Sequence, residues 1–144
     1  MKYFIHYWDV TSFWEYVESD LTKWNEIWFV GLFGKKKSAR DWFEEGNDFY
    51  DKGNFFDAIE CFDKVILDKK IHGKNIAVVL NSKGRCIANL EDFETAVKCF
   101  ELAIEIDSES SEALFGKADA LQSMGQDDEA KKILEMAKKL ELKK

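Results

Sequence analysis

Apolar residues recur every three or four positions along most of this chain, and the recurrence itself is repeated. Residues 53–66 read GNFFDAIECFDKVI and residues 91–104 read EDFETAVKCFELAI. Phe55, Ala58, Cys61, Phe62 and Ile66 of the first phrase are matched by Phe93, Ala96, Cys99, Phe100 and Ile104 of the second. Trp42, Gly46 and Phe49 share one helical stripe, and Ala58, Phe62 and Val65 share the next. The spacing predicts helices at about 39–51, 55–68, 76–89, 93–106, 111–124 and 127–142. The chain contains no proline, so its helix ends must be set by Gly, Asn, Asp and Ser.

Extended in both directions, the phrase becomes three copies. The first holds Trp42, Gly46, Phe49, Gly53, Phe55, Ala58, Phe62 and Val65; the second holds Leu80, Gly84, Ile87, Phe93, Ala96, Phe100 and Ala103. The third holds Leu114, Ala118, Leu121, Gly125, Ala130, Leu134 and Ala137. Copies two and three are offset by 34 residues and copies one and two by 38, which places an insertion of four near His72–Asn75. Small residues at 46, 84 and 118 allow the first helix of a pair to approach the second closely. Ala58, Ala96 and Ala130 leave the matching gap, and Phe62 or Phe100 fills the space beside it. Gly53 and Gly125 mark tight turns between paired helices. A single pair cannot bury its own apolar face, so the copies must stack and share a core.

This pattern resembles the tetratricopeptide repeat, a helix–turn–helix unit of that period, over residues 39–144. The resemblance implies an all-α solenoid of three repeats, at about 39–72, 77–110 and 111–144, within a domain spanning 38–144. Glu91 stands in place of the turn glycine of the second copy, and Ala118 in place of the first-helix glycine of the third. Lys70 and Ser108 stand where each unit usually closes on proline.

Composition narrows the function. The hydrophobic fraction of 46% and charged fraction of 34% describe a globular chain, and its length suits one domain. A net charge of −7 argues against sequence-independent nucleic-acid binding, which needs a basic surface. Residues 1–37 carry five lysines and five acids, so the acidic excess belongs wholly to 38–144. Three cysteines, Cys61, Cys86 and Cys99, form no paired spacing and read as reduced apolar filler in a cytoplasmic protein. His6 and His72 are the only histidines, and neither falls near a cysteine in the repeat pattern. With no glycine-rich phosphate loop and no CxxC pair, the expectation is a non-enzyme without metal or cofactor.

What remains is a surface for partners. In the tetratricopeptide family the first helix of each unit lines a concave groove that holds a peptide or helix. On this sequence that groove would comprise Arg40, Phe43, Asn47 and Tyr50, then Val78, Asn81, Arg85 and Asn89, then Glu112, Phe115, Asp119 and Gln122. Arg40 and Arg85 are the chain's only two arginines. The best-known form of the groove grips acidic chaperone tails with Lys, Asn, Asn, Lys and Arg. Those places here hold Phe43, Asn47, Ser82, Glu112 and Gly116, so the expected partner is a protein or peptide held by other means.

Residues 1–37 form a separate aromatic segment with four of the five tryptophans. Trp14, Val17, Leu21, Trp24 and Trp28 follow steps of three and four and predict an amphipathic helix from about Thr11 to Val30. Three readings stay open. The helix packs against the first repeat as a cap, pairs with a second copy as a homodimer, or meets an anionic membrane surface. The last draws on the tryptophans and Lys35–Lys37 and is opposed by the segment's acids. The longest apolar run, Ile27 to Phe33, is far short of the ~20 residues of a membrane span. The alternative to the groove is therefore a self-associating or membrane-peripheral scaffold driven by this segment.

Overall fold

The computed structural model describes residues 36–143. The aromatic positions Trp14, Val17, Leu21, Trp24 and Trp28, and the helix expected around them, lie outside the described residues. Six helices follow one another: α1 (Ala39–Asp51), α2 (Phe55–Ile66), α3 (Lys74–Asn89), α4 (Phe93–Ile106), α5 (Ser111–Ser123) and α6 (Asp127–Glu141). No strand occurs among the described residues. The six helices expected from the apolar period are all present. Two boundaries move by two residues, and the ends of α5 and α6 by one: α2 stops at Ile66, and α3 begins at Lys74, because Gly73 at φ 60° supplies the turn into it.

Local chemistry starts and stops these helices. Ser38 closes a capping box on α1: its hydroxyl accepts from the Asp41 N–H at 3.2 Å, and its own N–H donates to the Asp41 carboxylate at 2.8 Å. Asp92 and Ser110 cap α4 and α5 by accepting from Thr95 and Ala113 backbone N–H groups. The three turns inside the pairs share one geometry. Gly53, Glu91 and Gly125 have φ of 77°, 64° and 76°. The N–H that follows each donates to the carbonyl five residues back, Asn54 to Phe49, Asp92 to Ile87 and Gln126 to Leu121. This left-handed closure satisfies carbonyls that the helix end leaves open.

Each helix packs on the next in sequence, and α3 also touches both α1 and α5. No such contact joins α2, α4 and α6. The first helices therefore form the tighter, inner row and the second helices the outer one. Between the rows lie Ala58, Ala96 and Ala103, with no exposed surface, and Phe62 and Phe100 at 0% and 1% exposure. Full burial of such a ring contributes about 2–3 kcal/mol. A Cβ built on Gly46 would stand 2.7 Å from the Phe62 ring, and one on Gly84 2.8 Å from that of Phe100. The missing side chains are what admit the rings.

The last helix differs from its equivalents. Ile59, Ile66, Val97 and Ile104 are half-buried against the following unit, whereas their counterparts Lys131 and Lys138 in α6 are exposed. The outer face of the third repeat is thus solvated. No described helix is long and apolar enough to cross a membrane.

Candidate functional site

The inner row presents two clefts. The larger, about 360 Å³, lies where α3 and α5 meet, with Tyr50 of α1 at its edge. Its charged wall residues are Arg85 and Asp119, its polar ones Tyr50, Asn89 and Ser123, and its floor is made of Ala88, Phe93, Phe100, Gly116 and Ala120. Arg85 Nη2 donates to the Tyr50 hydroxyl at 3.1 Å, and the guanidinium stands 4.9 Å from the centre of that ring. Asn89 Nδ2 donates to the Arg85 carbonyl at 2.8 Å and approaches the same hydroxyl at 3.5 Å. Tyr50 is itself braced edge-on by Phe55, with ring centres 5.6 Å apart. Three side chains from two repeats are therefore locked together over the cleft before anything enters it.

The smaller cleft, about 170 Å³, opens between α1 and α3. Ala39, Phe43, Val65, Ile71, Val78 and Val79 make it apolar, and Arg40 and Asn75 stand at its edge. Ile71 and Asn75 come from the loop and helix start created by the four-residue insertion. Arg40 is fully solvated and donates to Glu44 at 2.9 Å, a bond that raises its pKa further above its already high ordinary value.

Of the twelve residues expected from the sequence, Tyr50, Arg85, Asn89 and Asp119 line the larger cleft and Arg40, Phe43 and Val78 the smaller one. Gln122 borders a third hollow of about 180 Å³ against Asp127, Ala130, Lys131 and Leu134 of α6. Asn47, Asn81, Glu112 and Phe115 line none of these hollows. Asn81 sits one turn before Arg85, and its Oδ1 is buried with no hydrogen-bond partner among the described residues. The floor residues Phe93 and Phe100 are not among the twelve, since the repeat pattern assigns them to the repeated core phrase, and Gly116 enters from the sequence only as a clamp place without a side chain. A Cβ on Gly116 would lie 2.5 Å from the Phe100 ring, so the glycine is what brings α5 down onto α4.

The thiols take no part in the clefts. Cys61, Cys86 and Cys99 are buried and unpaired. Desolvation pushes the Cys86 thiol up to about 11 and raises Cys61 and Cys99 as well. Among the described residues no group of three His, Cys, Asp or Glu side chains is placed to hold a metal.

A family model described as tetratricopeptide repeat matches residues 90–142. The period, the turn geometry and this match agree. Residues 90–142 belong to the tetratricopeptide repeat family. The chain is 32% identical over 103 residues to protein unc-45 homolog B of Xenopus laevis, a stretch that makes up 69% of this chain and 11% of that protein. This tetratricopeptide-repeat chain thus corresponds to a small part of the curated relatives it matches. Two solved structures are similar over about three-quarters of this chain. The first TPR of Spaghetti (RPAP3) bound to the HSP90 peptide SRMEEVD is 24% identical, covering 74% of this chain and 81% of that one with a TM-score of 0.66. The second TPR of the same protein, with the same peptide, is 26% identical, covering 72% and 93% with a TM-score of 0.65.

Proposed function

We propose that this tetratricopeptide-repeat chain is a non-enzymatic, cytoplasmic protein–protein interaction module. It holds a peptide or helix of a partner along the inner row of α1, α3 and α5. The observation that carries this reading is the Tyr50–Arg85–Asn89 network. An always-charged guanidinium is fixed by neutral partners at the mouth of an open cleft, so little side-chain freedom is lost when a ligand docks. The buried Oδ1 of Asn81 on the same helix supports it too. An unmet acceptor costs the fold about 1–3 kcal/mol, so this one calls for a partner.

The solved neighbours carry an HSP90 peptide, which supports peptide capture as the activity of this fold. The side chains here favour a different ligand. Of the five clamp places, Glu112 is acidic, Phe43 is apolar and Gly116 has no side chain to offer.

The test is selection of random peptides of about twelve residues on the full chain, followed by fluorescence titration. The winners should bind a Tyr50→Ala, Arg85→Ala double variant at least about tenfold more weakly, while its helical circular dichroism is kept. Equal binding by both proteins would overturn the groove assignment.

A further inference from the structure

The larger cleft holds one cation and one anion, and neither is neutralised. Arg85 bonds only to the neutral oxygen of Tyr50, and Asp119, whose backbone carbonyl accepts from the Ser123 hydroxyl, makes no ion pair among the described residues. The other cations on the inner helices α1, α3 and α5 are matched. Arg40 pairs with Glu44, Lys74 with Asp107, Lys83 with Asp63, Lys117 with Glu101, and Lys37 with Glu45. Arg85 is therefore the exception on the inner helices, and it lines the same cleft as Asp119, a carboxylate of the next repeat.

From this arrangement we infer that the partner is a dipolar peptide, one that places an acidic side chain at Arg85 and a basic side chain at Asp119. The inference rests on the peptide-binding role proposed above and names the class of peptide. A fork of guanidinium N–H groups, stacked on Tyr50, is pre-shaped for a carboxylate. Asp119 stands on α5, one repeat further along, and offers only acceptors. A purely acidic peptide would meet Asp119 with like charge, and a purely basic one would meet Arg85. Opposed charges on successive repeats thus exclude both and fix the direction in which the peptide lies. The half-buried apolar residues Ala88 and Phe93 take the aliphatic stems between the charged ends.

Two families of synthetic peptides test this. Each carries one Glu and one Lys at a series of separations, in one order or the other, with Glu-only and Lys-only controls. One charge order should bind the full chain about tenfold tighter than its reverse and than either control. A chain carrying both Arg85→Asp and Asp119→Arg should prefer the reverse order. Both positions are exposed, so the swapped chain should keep its unfolding midpoint. Single variants Arg85→Gln and Asp119→Asn should each lose the order preference while still binding. Equal affinity for Glu-only peptides, or a preference unmoved by the swap, would overturn the dipolar reading and leave peptide binding intact. Failure of any peptide to bind, including those from random selection, would overturn both.

Discussion

Lys117 Nζ meets Glu101 Oε1 at 2.9 Å, and the same pair is written one repeat earlier as Lys83 and Asp63 at 2.5 Å. The lysines are 34 residues apart and the acids 38, which are the offsets of the copies themselves. Each bond ties the first helix of one repeat to the second helix of the repeat before it. The Lys117 side chain is only 13% exposed while Glu101 is 47% exposed, so the pair is half-screened and its net contribution is about 1 kcal/mol or less. Lys117→Met, which keeps the buried stem, should therefore be nearly neutral. Lys117→Glu should cost about 1–3 kcal/mol, and adding Glu101→Lys should recover most of it. Urea unfolding of the four proteins measures all three.

Phe100 is held between Gly84 and Gly116, whose Cβ positions lie 2.8 and 2.5 Å from its ring. Gly84→Ala gains up to about 1 kcal/mol of helix propensity but must displace a fully buried ring, at about 1–3 kcal/mol. The balance should be destabilising at Gly84 and worse at Gly116, where the approach is shorter. A lowered urea midpoint at unchanged slope is the expected reading. Gly116→Ala with Phe100→Leu should regain part of the loss.

Much of this fold was legible because each helix pair repeats a period and a turn. Phe62 against Gly46 and Phe100 against Gly84 follow from alignment of the copies. Contacts between copies do not. Gly116 meets a ring of the preceding repeat, and Lys117 an acid of the preceding repeat, so neither shows in a within-copy comparison. The smaller cleft was hidden for a related reason: Ile71 and Asn75 flank and end the insertion near His72–Asn75, which has no equivalent in the other copies. Gly73 was missed as the start of α3 because a glycine before a lysine gives no capping signal.

Glu91 adopts φ 64° at the turn where the equivalent residues are Gly53 and Gly125. The left-handed region costs a residue with a Cβ about 1–2 kcal/mol, partly offset by the greater unfolded-state freedom of glycine. Glu91→Gly should raise stability by about 0.5–1 kcal/mol, with no neighbouring contact changed. Gly125→Ala should lower it by a similar amount, although nothing lies within 4 Å of the new methyl. A thermal melt that fell for Glu91→Gly would contradict the strain argument.

The buried thiols give stability a defined alkaline limit. Cys86 rises to about 11 from an ordinary 9.0 because burial disfavours its thiolate. A raised folded-state pKa means the native state keeps a proton that the unfolded chain releases. The stabilisation is complete below about pH 9 and is lost as pH climbs through about 11. Urea midpoints should agree at about pH 7 and 8, then fall at about pH 10.5. The fall should be shallower in Cys86→Ala, which has no proton to lose. Thiol reagents at about pH 8 should label none of Cys61, Cys86 and Cys99 until denaturant is added.

The heptapeptide SRMEEVD, bound by both solved neighbours, should distinguish the proposed groove from theirs. A clamp for a carboxylate-rich tail needs several cations at fixed places. Here Arg85 is the one unpaired arginine, Glu112 is exposed and acidic, and Asp119 adds a second repulsive carboxylate. Calorimetric titration should show affinity weaker than ~1 mM, insensitive to amidation of the peptide's carboxyl end. Installing the missing cation cannot repair the site at Gly116, because Phe100 occupies the space its Cβ would need. Gly116→Arg should lower stability without creating peptide binding. Glu112→Lys lies on an open surface and should leave folding unchanged while gaining weak, salt-sensitive attraction for the same peptide. Micromolar, carboxylate-dependent binding by the unaltered chain would show that the groove recruits cations other than those its first helices present.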